Sequence, residues 1–282
     1  MNEPQAIPVP SSDGVTVVAH DHGGDGPPLL FCHATGFCGR YWDPICRRLA
    51  DRWRCIAMDF RGHGDSVVPD GVAYGWPGMA DDVLSVIDGL GLAAPVAAVG
   101  HSMGGASIIL AELARPGTIA EAWLFEPILI PSDGGEHFAA DGPNPLAESA
   151  RRRREIFDSR DAAYERYASR PPFSGTDPEA LRAYVDHGFA DQADGTVILK
   201  CRGAVEAAVF DSSRTDAFER LGEVSTAIVV AGSGDAMGPA AIAPLAAEAL
   251  PNGTYEAWPD LTHFAPMEDP ERIAAAIRTA LG

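Results

Sequence analysis

The chain has 282 residues, of which 21 are Lys or Arg and 40 are Asp or Glu, for a formal net charge of −19 with 46% hydrophobic residues. That charge repels phosphate backbones and anionic lipid, which argues against a nucleic-acid partner, and no apolar run approaches the roughly 20 residues of a membrane span. The opening "MNEPQAIPVPSSDG" puts acid and proline where a secretory signal needs a basic end followed by an apolar segment, so a cytoplasmic location is expected.

In chain order, "VTVVAHDHG" (15–23) suits an antiparallel edge hairpin. Strands are expected at "PPLLFCHA" (27–34), "RCIAMDF" (54–60), "PVAAVGHS" (95–102), "AWLFEPI" (122–128), "AIVVAGS" (227–233) and "YEAWPD" (255–260). Helical patterns occupy the segments around 79–91, 103–114, 239–249 and 270–281. This alternation predicts an α/β fold, a mostly parallel sheet of about eight strands flanked by helices.

The rhythm breaks between about Ile130 and Leu221, where charged and aromatic helical stretches replace buried-strand patterns. A structureless loop of that length is improbable in a compact chain, so an inserted helical cap is predicted over 131–221, with 1–130 and 222–282 forming the core. The Pro/Gly-rich edges "PSDGGEHFAADGPNP" and "SRPPFSGTDP" read as hinge or lid loops. "RRRR" (151–154) is expected to open a helix and to present a solvated face paired with local acids, an anion-binding lip being the alternative. The cap aromatics Phe157, Tyr164, Tyr167, Phe173, Tyr184 and Phe189 read first as helix packing and second as pocket lining. The five cysteines are odd in number and lack CxxC spacing, which fits buried free thiols in a reducing compartment rather than disulfides or zinc.

"AVGHSMGGA" (98–106) carries the G-x-S-x-G pattern at the end of an apolar strand and the start of a helix. In a sharp turn of that kind small residues are required because side chains would collide with strand and helix, which gives Gly100, Gly104 and Gly105 a steric task. Ser102 is thereby raised at a helix N-terminus, where N–H groups favour developing negative charge.

A serine needs a base, and neutral histidine suits that work near pH 7. His263, in "PDLTHFAPMEDP" between the last strand and the last helix, is the expected base; His137 and His187 fall in the cap and read as surface or packing residues. A carboxylate must orient that base. Asp235 after "AIVVAGSG" is placed first and Glu126 after "AWLF" is the alternative, since both precede His263. For the oxyanion, one N–H is expected from Met103 and the second from "CHATGFCGR", with Thr35 ahead of Ala34.

"GHSMGG" (100–105), "DFRGHGDS" (59–66), "GSGD" (232–235) and "THFAPMEDP" (262–270) together resemble the motifs of the α/β-hydrolase family, serine-nucleophile branch with a helical cap, over about residues 15–281. The resemblance implies a Ser102, Asp235, His263 triad and a lid over an acyl pocket. The chain departs from it at His33-Ala34-Thr35, where many relatives carry His-Gly followed by an apolar residue, and at Phe125-Glu126-Pro127, which keeps Glu126 in play. The expected activity is hydrolysis of an ester or thioester of a small to medium, mostly apolar acyl compound. Carbon–carbon bond hydrolysis or acyl transfer with the same residues is the alternative, and a ligand-binding signalling protein on this fold is a third. No cofactor or metal is expected, the partner is a small acyl substrate, and the chain is expected to be a monomer or homodimer.

Overall fold

The computed structural model describes residues 3–132, 143–235 and 237–282; His137 and most of the first Pro/Gly-rich edge of the insertion lie outside the described residues. The chain begins with the antiparallel hairpin β1 (Gln5–Pro10) and β2 (Thr16–Asp21). It continues through β3 (Pro28–Cys32), α1 (Asp43–Leu49), β4 (Arg54–Asp59), α2 (Trp76–Gly89), β5 (Val96–His101), α3 (Met103–Ala114) and β6 (Ile119–Phe125). The inserted stretch holds α4 (Pro145–Arg151), β7 (Ile156–Phe157), α5 (Arg160–Ala168), α6 (Pro178–Gly188), β8 (Phe189–Asp191), β9 (Val197–Leu199) and α7 (Gly203–Asp211). The chain then closes with β10 (Ala227–Ser233), α8 (Pro239–Ala249), β11 (Gly253–Trp258), α9 (Ala265–Glu268) and α10 (Pro270–Ala280).

Eight strands form one sheet in the order β1-β2-β4-β3-β5-β6-β10-β11. The first two are antiparallel to their neighbours, and the pairs from β4 to β11 are parallel. A parallel sheet covered on both faces needs apolar residues pointing both ways, and the strands supply them. Leu30, Ile56, Met58, Ala98 and Leu124 face one way and pack with Met79, Val83, Ile108 and Ile109 of α2 and α3. Leu29, Phe31, Cys55, Ala57, Val99 and Trp123 face the other and pack with Ile45 and Leu49 of α1 and Ile273 and Ile277 of α10. Full burial of one such side chain contributes about 1.5–3 kcal/mol before entropy is set against it. The parallel strands all end on one edge of the sheet, the edge at which open α/β sheets bind ligands.

The insertion differs from the helical expectation: β7, β9 and β8 form a small antiparallel sheet. Strands of two or three residues are too short to display an alternation in the sequence. The arginine run departs too. Arg151 ends α4 instead of opening a helix, Arg152 follows as its C-cap, and the chain is non-helical from there to β7. All five cysteines are free and buried, and burial pushes the thiols of Cys32, Cys38 and Cys201 well above the usual range. Among the described residues no helix is long and apolar enough to cross a membrane.

Candidate active site

The edge of the sheet gathers Thr35 after β3, Ser102 after β5, Glu126 after β6 and Asp235 after β10. Ser102 turns the chain from β5 into α3 with φ 56° and ψ −117°, a conformation that a non-glycine residue adopts only when its surroundings impose it. The glycines show why the turn can be so tight. A Cβ on Gly104 would stand 2.2 Å from the Cys32 carbonyl oxygen, one on Gly100 2.6 Å from Gly105 Cα, and one on Gly105 2.9 Å from Pro127 Cβ. Ser102 N–H donates to the Phe125 carbonyl at 2.9 Å, which ties the turn to the end of β6. Its hydroxyl forms no hydrogen bond with another described residue.

His263 Nδ1–H donates to Glu126 Oε2 at 2.5 Å, so the histidine's carboxylate partner is Glu126 and not the expected Asp235. Glu126 is 1% exposed and has φ 44°. Its N–H donates to the Ala231 carbonyl at 2.9 Å, and its Oε1 accepts from Ser233 N–H at 2.7 Å. Burial alone would raise its pKa, but the bonds from His263 and Ser233 outweigh burial and hold the carboxyl below the ordinary range. Asp235 is exposed, and its N–H makes only a long 3.4 Å bond to Ser233 Oγ. The GSGD loop acts instead through its backbone: Gly234 N–H donates to the Leu261 carbonyl at 3.3 Å, and a Cβ there would stand 2.3 Å from the Pro259 carbonyl oxygen.

His101, the variable residue of the turn motif, fixes the His263 loop from below. Tyr41 Oη donates to His101 Nδ1 at 3.0 Å, and His101 Nε2–H donates to the His263 carbonyl at 2.8 Å. Burial and the neighbouring His263 push His101 well below its ordinary pKa, in keeping with a neutral ring of that one tautomer. Thr262 Oγ and N–H both bond to Glu268, securing the other side of the loop.

Two buried histidines, His33 just after β3 and His63 in the turn after β4, carry the Thr35 loop. His33 Nε2 accepts from Phe60 N–H at 3.1 Å while its Nδ1–H donates to the Ala34 carbonyl at 2.8 Å. His63 Nε2 accepts from Gly36 N–H at 3.0 Å while its Nδ1–H donates to the Arg61 carbonyl at 3.0 Å. Burial lowers His33 to about 4 and His63 to about 3. A protonated ring would also turn an N–H toward an N–H. With Gly36 N–H on His63 and Phe37 N–H on the Ala34 carbonyl, the Thr35 N–H, like that of Met103 at the start of α3, has no acceptor among the described residues. The only signal for these clamps in the sequence is the pair of histidines next to strand ends.

Below this loop Asp59 accepts from Gly39 N–H (2.6 Å), Asp65 N–H (2.8 Å) and His20 Nε2 (2.9 Å). Burial opposes its charge, but the His20 bond and these neighbours hold it at about 2. His20, Asp59 and Asp65 are the one group of described residues with metal-ligand spacing. Hydrogen bonds already occupy Asp59, and Lys200 engages Asp65, so the group serves as a brace for the turn after β4. Around the site Phe37 lies 6.1 Å from Phe173 and 6.3 Å from Phe264, centroid to centroid, giving an aromatic wall between the insertion and the sheet edge.

A family model described as "Alpha/beta hydrolase family" matches residues 29–276. BpoC of Mycobacterium tuberculosis (strain CDC 1551 / Oshkosh), whose name assigns it provisionally to the non-heme bromoperoxidases, is 26% identical over 266 residues, 92% of this chain and 95% of that protein. Among solved structures, an E-2-(acetamidomethylene)succinate hydrolase superposes with a TM-score of 0.81 at 21% identity, covering 99% of each chain. The esterase RhEst1 from Rhodococcus sp. ECU1013 gives a TM-score of 0.74 at 24% identity, covering 97% of each chain.

Proposed function

Because the chain belongs to the alpha/beta hydrolase family, we propose that it is a serine hydrolase acting on a carboxylic ester or thioester of a small to medium acyl compound through an acyl-enzyme. The observation that carries this reading is the hydrogen bond from His263 to Glu126 beside a serine held at φ 56° on the adjoining strand end. In this reading Ser102 is the nucleophile, His263 the general base and Glu126 the acid that orients it. Asp235 is left outside the machinery.

His263 Nε2 takes the proton of Ser102 as Oγ attacks the carbonyl carbon. Glu126 stabilises the imidazolium that forms, as a buried and already ionised carboxylate can. The N–H groups of Met103 and Thr35 receive the oxyanion, each such donor contributing a few kcal/mol to the transition state. The imidazolium then gives its proton to the leaving alcohol or thiol. Water, deprotonated by His263, attacks the acyl-enzyme carbonyl, and collapse releases the acid and restores Ser102. The segment 131–221 serves as a cap, with Phe37, Phe173 and Phe264 offering ring faces to an apolar part of the substrate.

Hydrolysis of p-nitrophenyl esters from acetate upward tests the reading. Turnover should peak at one chain length, and Ser102→Ala should lower kcat by at least about 10⁴-fold. Comparable turnover in the variant would defeat the assignment. Labelling of Ser102 by a fluorophosphonate without ester turnover would point to the carbon–carbon or acyl-transfer reading.

A further inference from the structure

Three of the four residues of the arginine run turn to the surface. Arg151 pairs with Glu148 and Asp211, Arg152 reaches Glu148, and Arg154 reaches Asp158. Arg153 turns inward, with its side chain 20% exposed and that of its partner Glu206 on α7 10% exposed. Its Nη1 donates to Glu206 Oε2 at 2.5 Å, and its Nη2 donates to Tyr167 Oη at 3.2 Å and to Tyr184 Oη at 3.3 Å. Tyr184 Oη–H donates in turn to the Gly36 carbonyl at 3.3 Å. A Cβ on Gly36 would stand 2.5 Å from Glu206 Oε1 and 3.4 Å from Arg153 Nη1. The cluster therefore rests on the residue next to Thr35.

A buried ion pair of this kind is weak as a source of stability, because desolvation offsets most of the attraction. Its hydrogen-bonding balance suggests another use. A guanidinium has five N–H donors. Among the described residues Arg153 Nε–H, the second Nη1–H and the Tyr167 hydroxyl hydrogen meet no acceptor, while the one spare carboxylate oxygen, Glu206 Oε1, lies against Gly36. Unmatched donors on a cation, with a free hydroxyl hydrogen beside them, suit an anionic acceptor such as a carboxylate.

We propose that Arg153, with the Tyr167 hydroxyl, binds a carboxylate carried by the acyl part of the substrate, so that monoesters or monothioesters of dicarboxylic acids are preferred over uncharged acyl esters. The proposal rests on the reading of Ser102 as the nucleophile. In this arrangement Glu206 holds the guanidinium in place and opposes the incoming anion, so it limits affinity.

The test compares kcat/KM of the full chain for p-nitrophenyl hemisuccinate and p-nitrophenyl butanoate, which share a four-carbon acyl chain, with spontaneous hydrolysis subtracted. The wild type should favour the hemisuccinate by about tenfold or more. Arg153→Gln should lower that ratio by about 10- to 100-fold, the range of a hydrogen bond to a charged group. The ratio is taken within one preparation, so partial loss of folded protein cancels. Glu206→Gln should move the other way, lowering KM for the hemisuccinate. A wild-type ratio at or below one, or an Arg153→Gln ratio equal to the wild type's, overturns the carboxylate assignment while the serine reading stands. Absence of turnover of both esters overturns the ester preference, and absence of fluorophosphonate labelling of Ser102 alongside it overturns the nucleophile reading as well.

Discussion

The ends of β6 and β10 lie side by side, and each carries an acidic residue, yet only one of them reaches His263. At the end of β6, Glu126 is held at φ 44° with its N–H on the Ala231 carbonyl, and its carboxylate is buried between Ser233 N–H and His263. At the end of β10 the chain runs on through Gly234, packed against the Pro259 carbonyl, and leaves Asp235 in solvent. The two ends divide the labour: β6 supplies the charge, and β10 supplies an N–H for that charge and a backbone support for the loop that bears the histidine. Position after a strand is thus a weaker guide to an acid's role than the backbone around it.

The largest effect that bears on this division is expected from Glu126→Gln, which keeps the shape and removes the charge. A fall in kcat of about 10²–10⁴-fold on the best p-nitrophenyl ester is expected, by analogy with loss of a buried triad carboxylate. Retention of most activity would return the role to β10. Next, Gly234→Ala would push a methyl group into the Pro259 carbonyl, 2.3 Å away, and so displace the His263 loop. A roughly 10- to 100-fold loss of kcat is expected from a misplacement of that kind, with the melting temperature monitored alongside; unchanged kinetics would remove the supporting role of β10.

A third prediction contrasts this side of the site with the histidine clamps on the other. His33 at about 4 and His63 at about 3 lie below the ordinary 6.5, so below pH 6.5 the unfolded chain binds protons that the folded chain refuses. Stability therefore falls as pH drops from about 6.5 toward those values, by up to a few kcal/mol per ring. Asp59, at about 2, stays ionised until far lower pH, so a window of pH 6.5 to 4.5 reports on the buried histidines together, His22 and His101 included, and a variant is needed to isolate one clamp. His63→Gln, whose side-chain oxygen can accept from Gly36 N–H without titrating, should show a smaller drop in melting temperature across that window than the wild type. The smallest effect belongs to Asp235→Asn, expected to leave kcat/KM within about twofold. A tenfold loss would show that the solvent-facing carboxylate reaches the site during turnover.

The sheet, its helices and the serine turn were legible because they rest on local patterns: apolar strand runs, helical spacing and glycines that only a tight turn requires. α3 and α8 begin and end at the expected residues. Both candidate acids were visible, but their ranking depends on backbone geometry. A positive φ at Glu126 and the Ser233 N–H that completes its binding are long-range consequences of β6 lying next to β10. The short strands β7 to β9 escaped notice for want of length, and the inward turn of Arg153 could not be told from its three outward neighbours, since it is set by contacts with Tyr167, Tyr184 and Glu206, the last 53 residues away.

The sealed thiols have a practical consequence. Since Cys32, Cys38, Cys46, Cys55 and Cys201 are all enclosed and maleimides attack the exposed thiolate, a single cysteine introduced on the surface would be the one sulfur open to rapid labelling in the native chain. Placed at the exposed Ser169 just after α5, it would carry a fluorophore on the insertion with no need to strip the native cysteines first. Movement of that segment during catalysis could then be followed in real time in a protein otherwise unchanged.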